Sequence, residues 1–165
     1  MGKKVAKLSV LCALSLITFM VENLLPPLII PGAKLGLGNI FVMLTLIYMG
    51  LPQALVLVLA KSLLSAIIVG NMFSLAFSFT AGVLSLIVTY LMLRFLSKNI
   101  SVLSIASTSA CCHNLTQLCV FWLLNANVNV MLYAPYLALL GLLSGLVTGF
   151  IVYLITKKDL KVLVS

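Results

Sequence analysis

Six long apolar segments, separated by short runs of glycine, proline or polar residues, dominate this chain. A helix needs about 20 apolar residues to cross a hydrocarbon layer about 30 Å thick. Inside lipid every backbone N–H and C=O group must pair within the protein, so such segments fold as helices rather than open strands. The segments cover residues 8–25, 38–50, 53–69, 75–96, 102–124 and 132–156. The second is short, and we expect it to be tilted, irregular or extended by its flanks.

Composition excludes a soluble domain. Of the 165 residues, 64% are hydrophobic and 7% are charged, whereas a soluble domain carries about 25% charged residues. One water-facing core cannot bury that much apolar surface, so soluble enzymes, disordered chains and disulfide-rich secreted chains are excluded. We therefore expect an all-α polytopic membrane protein, a single transmembrane domain over residues 1–165.

The basic residues predict the orientation of a six-span bundle. In such a bundle the N-terminus, the connection between segments four and five and the C-terminus share one side. Eight of the ten cations fall there: Lys3, Lys4, Lys7, Arg94, Lys98, Lys157, Lys158 and Lys161. The opposite connections at 70–74 and 125–131 carry no cation. Because cytoplasmic loops are enriched in Lys and Arg, both termini are expected in the cytoplasm. This topology also explains the net charge of +8, so we expect a bilayer and no nucleic acid as partner.

Acidic residues are too few for most enzyme chemistry. The chain has two, Glu22 and Asp159, far apart in sequence. Paired carboxylates for acid–base catalysis and carboxylate cages for magnesium both need several acids close together. Mechanisms that depend on paired carboxylates, a carboxylate metal cage or an Asp-rich magnesium site are therefore excluded, and we assign no catalytic residues.

A cluster of thiols around His113 suggests a metal site at first sight. On a helix, however, Cys112 and Cys119 lie about 10 Å apart along the axis, and neighbouring side chains at 112 and 113 point about 100° apart. One metal ion cannot bind them all. We expect Cys12, Cys111, Cys112 and Cys119 to pack as small apolar side chains and no metal to be bound.

Polar residues inside the spans are the candidates for function. Lys61 falls near the middle of the third segment, where an ammonium normally faces a cavity or a partner; the alternative is that it snorkels to the surface. On the fifth segment Ser109, His113 and Gln117 recur at helical spacing with Asn114 beside them. This stripe lines a pocket or, alternatively, makes hydrogen bonds between helices.

The connection between the first two segments is apolar and rich in proline and glycine. It covers residues 26–39 and contains Lys34 and Asn39. Prolines restrict such a loop, while glycines permit turns and a close approach to a ligand. We expect an ordered lid, with Glu22 at the end of the first helix pairing with Lys34 or meeting the ligand. A loop that merely lies on the lipid surface is the alternative.

Small residues at helical spacing predict close helix packing. Gly141, Gly145 and Gly149 form such a stripe on the sixth segment. The fourth segment carries another, Ala81, Ser85 and Thr89.

Three motifs resemble a known family. They are Glu-Asn-Leu-Leu-Pro at 22–26, Pro-Gly-Ala-Lys-Leu-Gly-Leu-Gly-Asn at 31–39 and His-Asn-Leu-Thr-Gln-Leu at 113–118. With six spans and cytoplasmic termini, they resemble the S-components of energy-coupling factor (ECF) transporters. The subfamily they resemble is labelled the Gx transporter family or, historically, heptaprenyl diphosphate synthase component I. The resemblance covers nearly the whole chain.

This resemblance implies a substrate-binding subunit of the bacterial cytoplasmic membrane, without enzyme activity of its own. Such subunits bind a vitamin-like ligand and associate with a transmembrane T-component and two cytoplasmic ATPases. Many dock through an Ala-xxx-Ala pattern on the first helix. The nearest match here is Ser9 and Ala13, a departure from that pattern. Since the chain has no phosphate-binding P-loop, ATP hydrolysis must come from the partners.

Together these observations predict one ligand site. We expect it to comprise Glu22, Lys34, Asn39, Lys61, His113, Asn114 and Gln117. Its cations favour an anionic ligand, and its amides suit a heterocycle rich in donors and acceptors. A flavin meets both conditions as the transported ligand, with no intrinsic cofactor, and an isoprenoid phosphate is a second candidate. Two other classes stay open: a self-sufficient ion-coupled carrier or holin-like pore, and a non-transporting subunit of an electron-transfer assembly.

The orientation is testable by cysteine labelling. In a variant without the four native cysteines, Lys98→Cys should be protected from an impermeant thiol reagent added outside the cell, whereas Asn127→Cys should react. The positive-inside distribution of the cations is the reason. The reverse labelling pattern would invert the topology.

Overall fold

Helices joined by short connections make up the part of the chain that the computed structural model describes, residues 2–24, 36–125 and 128–157. They are α1 (Gly2–Leu24), α2 (Asn39–Met49), α3 (Leu51–Val69), α4 (Phe73–Phe95), α5 (Val102–Asn125), a 3₁₀ helix (Val128–Tyr133) and α6 (Ala134–Thr156). The predicted helical segments are confirmed. Lys34 and most of the expected lid, residues 25–35, lie outside the described residues.

The turns between helices follow from glycine and proline. Gly50 has φ +93 and separates α2 from α3, and Pro52 occupies the first turn of α3. Gly70, at φ +70, closes α3 in the left-handed conformation. A side chain is unfavourable at both glycines, while proline fits the first turn of a helix because its missing N–H is not needed there.

The shortest helix, α2, lies at the centre of the bundle. Its 11 residues extend about 16 Å, roughly half of the hydrocarbon thickness, as expected for a short second segment. One face of α2 packs against α5 and α6, and another packs against α3 and α4. The buried residues of α2 are Ile40, Val42, Met43, Leu44, Thr45 and Leu46.

The bundle buries small polar side chains and exposes large apolar ones. Ser15 and Thr45 are 0% exposed, whereas Phe95 is 74% exposed and Ile67 is 65% exposed. Most of the buried hydroxyls donate within their own helix, as Thr45 does to the Phe41 carbonyl (2.7 Å) and Thr148 to the Ser144 carbonyl (2.8 Å), whereas the buried Ser107 hydroxyl has no partner in the described part of the chain. A water-soluble bundle has the opposite distribution. The chain is therefore a helical membrane protein.

Four helical stretches in the described residues are long and apolar enough to cross a membrane: Gly2–Glu22, Leu51–Val69, Phe73–Phe95 and Asn129–Thr156. The helix α5 has 24 residues, but its serines, His113 and amides lower its hydropathy. The helix α2 is too short to cross by itself. The count of six spans and the orientation therefore stay predictions.

Packing between α5 and α6 depends on the three glycines predicted to form a stripe. A Cβ atom built on Gly145 would lie 2.3 Å from the Ser107 Cα, and one on Gly141 or Gly149 would lie 2.7 Å from the Cα of Cys111 or Leu103. The two backbones thus touch along three turns, as expected for small residues at a membrane helix interface. The packing role of the stripe is confirmed.

Replacing Gly145 with alanine tests this contact. Alanine gains up to about 1 kcal/mol in helix propensity over glycine, but overpacking costs about 1–3 kcal/mol. Because a backbone atom blocks the new methyl group, we expect the steric cost to exceed the gain and the melting temperature in detergent to fall. Val147→Leu, which adds one carbon on an exposed position of the same helix, is the control. Equal melting temperatures for both variants would contradict the contact.

Candidate functional site

A narrow cleft lies between α2, α3, α4, α5 and α6 in the middle of the bundle. The empty space between its lining atoms, its open end included, is about 560 Å³, but only about 30 Å³ admits the centre of a water molecule. The smaller volume decides which molecules fit, because the larger one includes the open end of the cleft. One water needs roughly 10–15 Å³ by that measure. In this conformation the cleft therefore accommodates water-sized species.

Polar side chains from all five helices line the cleft. They are Asn39, Lys61, Ser62, Ser78, Ser85, Thr89, Ser109, His113 and Thr148. Apolar walls formed by residues such as Val42, Met43 and Leu86 separate them. Polar groups that converge between apolar walls are a feature of small-molecule sites.

Lys61 and Asn39 form the charged end of the cleft. The Lys61 ammonium donates to Asn39 Oδ1 at 3.0 Å. Lys61 is the eleventh of the 19 residues of α3, about 15 Å from the start of that helix by the helical rise. The helix α3 is just long enough to cross a hydrocarbon layer, and Lys61 lies close to its midpoint. Asn39 is the first residue of α2, so α2 begins beside the middle of α3.

The turn that leads into α2 is held by α1. The Ser15 hydroxyl donates to the Gly38 carbonyl at 3.0 Å, and the Glu22 carboxylate accepts a hydrogen bond from the Leu37 N–H. Gly36 has φ +70, a conformation that favours glycine. The anionic Glu22 side chain and the positive N-terminal end of α2 are also a favourable electrostatic pair.

His113 belongs to a network of hydroxyls between α4 and α5. Its Nδ1 lies 3.3 Å from Ser85 Oγ. The Thr89 hydroxyl oxygen lies 2.7 Å from both the Ser85 carbonyl oxygen and Ser109 Oγ, so its single proton is given to one of them, and Ser109 donates to the same Ser85 carbonyl at 3.2 Å. With 9% of its surface exposed, the ring is fixed by these contacts and faces the cleft.

The structure brings together three of the seven predicted ligand residues, Asn39, Lys61 and His113. Glu22 lies beside them but contacts the turn before α2. Ligand binding by these residues stays a prediction.

Asn114 and Gln117 lie apart from the cleft lining. Asn114 donates to the Leu137 carbonyl on α6 at 3.2 Å, which is the interhelical bonding that the sequence left open as an alternative. Gln117 is partly buried, about 6 Å beyond His113 along α5.

The predicted docking residues are exposed, and the cysteines form no disulfide bond. Ser9 and Ala13 are exposed on α1. All four cysteines are free thiols. Within the described ranges, no three metal-binding side chains come together.

Sequence reasoning missed the contribution of α4 to the cleft. Ser85 and Thr89 were interpreted as a packing stripe, and Ser78 was not considered. All three lie on one face of α4 because their spacings of seven and four residues match the helical repeat. That spacing was the available indication. It does not distinguish packing from cavity lining, since both need small side chains on one face.

Comparison with known proteins adds one relationship. The family model described as heptaprenyl diphosphate synthase component I matches residues 11–155. No curated protein and no solved structure matches the chain significantly. The matched range runs from α1 to α6 and contains the whole cleft, and its description is the historical label of the subfamily that the motifs resemble. The chain therefore belongs to the heptaprenyl diphosphate synthase component I family.

Proposed function

We propose that this protein is the substrate-binding subunit of an ECF transporter in the bacterial cytoplasmic membrane. The observation that supports this most is the Lys61–Asn39 pair in the central cleft. A lysine held at mid-membrane depth inside a bundle, next to the start of a half-length helix, is typical of substrate sites in membrane transporters. The ECF-like motifs at 22–26, 31–39 and 113–118 support the same proposal.

An anionic ligand suits this site best. The Lys61 ammonium and the N-terminal end of α2 both favour negative charge, and Asn39 and His113 add hydrogen-bonding capacity. Glu22 is the one acidic residue near them in the described chain. We propose a flavin as the transported ligand, with riboflavin and its phosphate as the first candidates. Since the cleft is water-sized as it stands, such a ligand requires the helices around it to separate on binding.

The family name describes a component of a prenyl diphosphate synthase, and we propose that this component is not catalytic. Prenyl diphosphate chemistry needs several carboxylates to hold magnesium, whereas the only acids are Glu22 and Asp159. Energy for transport would come from a T-component and two ATPases as partners. The exposed side of α1 around Ser9 and Ala13 is the proposed docking face.

One observation favours a second candidate. The cleft accepts water-sized species and is lined by hydroxyls next to Lys61 and His113, a combination that also suits an ion-coupled carrier or a pore. A pore would conduct ions without partners, whereas an S-component needs ATP hydrolysis by added ECF subunits. A non-transporting subunit of an electron-transfer assembly would do neither. Transport into proteoliposomes with and without those subunits separates the three.

Flavin binding tests the ligand. We expect native mass spectrometry of gently purified protein to show a bound flavin mass, and riboflavin or FMN fluorescence to be quenched on titration. Lys61→Met removes the charge and keeps the apolar stem, so affinity should fall about 10- to 150-fold, the equivalent of a charged hydrogen bond worth 1.5–3 kcal/mol. The control is Lys98→Met, at an exposed lysine. Unchanged affinity in Lys61→Met would remove Lys61 from the site.

Gln117→Leu, measured in the same titration, defines how far the site extends along α5. A loss comparable to that of Lys61→Met is expected if the ligand reaches beyond the present cleft when the helices separate. Wild-type affinity in Gln117→Leu would restrict the site to the residues that line the cleft.

Copurification tests the partners. Ala13→Trp places a bulky ring on the proposed docking face, so recovery of the T-component and ATPases with the protein should drop while flavin binding is retained. Ile67→Trp, at an exposed position of α3, is the control and should leave assembly intact. Full assembly of Ala13→Trp would place the docking face elsewhere.

A further inference from the structure

The backbone conformation of Gly38 does not require glycine. Its φ is −61 and its ψ is −18, which any residue adopts. Gly36, two residues earlier, has φ +70 and is explained by its backbone. Only the atoms around Gly38 can therefore restrict a side chain at this position.

The end of the Lys61 side chain lies against Gly38, next to the position that a Cβ atom would take. A Cβ atom built there would lie 3.0 Å from Lys61 Nζ and 3.2 Å from Lys61 Cε, and also 3.2 Å from the Ser15 carbonyl oxygen. Contacts this short are tighter than nearly all that real Cβ atoms make. The end of the lysine side chain thus crosses over Gly38 to reach Asn39 Oδ1 at 3.0 Å.

Ser15 connects this arrangement to α1. Its side chain is 0% exposed, and its hydroxyl donates to the carbonyl of Gly38. The opposite face of α1 is open, since Val10 and Ile17 are more than half exposed, while Leu8 and Leu11 pack against the apolar core. Ser15 adds a polar contact to this packing, and that contact holds the same residue that Lys61 crosses.

We propose that Gly38 is a positioning residue that sets the location of the Lys61 ammonium in the cleft, and that Ser15 ties this location to α1. The inference rests on the proposed function insofar as Lys61 contacts the ligand. It adds that α1, the proposed docking helix, is linked through the Ser15 hydroxyl and the Gly38 carbonyl to the charged end of the site.

A double-mutant cycle on the full-length protein in detergent tests the geometry without any ligand. Gly38→Ala should lower the melting temperature by about 2–4 °C, because the end of the Lys61 side chain must shift and its hydrogen bond to Asn39 weakens. In a Lys61→Ala background, where the crossing side chain is gone, the same substitution should cost less than a third of that. Gly70→Ala is the control: Gly70 also has φ +70, and a Cβ atom built on it has nothing within 4 Å, so its backbone strain should cost the same in both backgrounds.

Ligand binding is the second readout, with FMN as the probe. Gly38→Ala and Ser15→Ala should each weaken FMN binding about tenfold, because both displace the ammonium. A failure of wild-type protein to bind FMN would count against the flavin proposal alone and leave the melting cycle valid. Unchanged FMN affinity in Gly38→Ala, with binding by the wild type, would overturn the positioning role.

Each outcome of the double-mutant cycle of Gly38→Ala and Lys61→Ala either supports or overturns the proposal. An equal loss of melting temperature with and without Lys61 would show that Gly38 makes room for α1 only, and would overturn it. If Gly38→Ala alone does not fold, recovery of folded protein on adding Lys61→Ala supports the proposal, and no recovery overturns it.

Discussion

The hydrogen bond from the Lys61 ammonium to Asn39 is the interaction around which the centre of this bundle is arranged. A charged side chain in the middle of a membrane helix costs about 2.5–3.5 kcal/mol on insertion scales, unless polar partners are nearby. The start of α2 supplies such a partner at the right depth, because this helix begins halfway through the bundle. In turn α1 must hold the turn before α2, through Ser15 and Glu22. Removing the lysine would remove the reason for much of this polar interior.

The same constraint explains what lies inside and outside the bundle. With lipid as the solvent, burying a leucine gains little over exposing it, so close packing and hydrogen bonds decide which residues face inward. Gly141, Gly145 and Gly149 let α6 touch the backbone of α5. Buried serines and threonines donate to carbonyls of their own helices, as Thr148 does to Ser144. The cleft between these helices is narrow because small side chains allow the helices to approach closely.

The narrowness of the central cleft bears directly on the proposed function. A flavin-sized ligand fits the water-sized cleft only if the helices around it move apart. Ser15 links α1 to the turn before α2, and the proposed docking residues Ser9 and Ala13 lie on α1 as well. The proposed docking face and the turn before the cleft therefore share one helix.

Much of this protein was predictable from its sequence, since lipid imposes simple rules on composition. Apolar segments bounded by Gly50, Pro52 and Gly70 predicted the helices, and the glycine stripe predicted the seam between α5 and α6. Lys61 and His113 were singled out because a polar side chain in an apolar span is conspicuous. Asn114 shows the limit, because its amide bonds a carbonyl on α6 rather than facing the cleft.

What the sequence by itself determined is the helical membrane class, the approximate extent of most helices and the polar exceptions within them. The helix α1 begins six residues before its predicted start, and the 3₁₀ helix Val128–Tyr133 was not predicted. Only the tertiary structure decided that Ser85 and Thr89 line the cleft, that Asn39 meets Lys61, and that the end of the Lys61 side chain lies against Gly38. The physical reason is that helical periodicity tells which residues of one helix share a face. It does not tell which other helix that face meets, because this depends on the distances between backbones that packing alone sets.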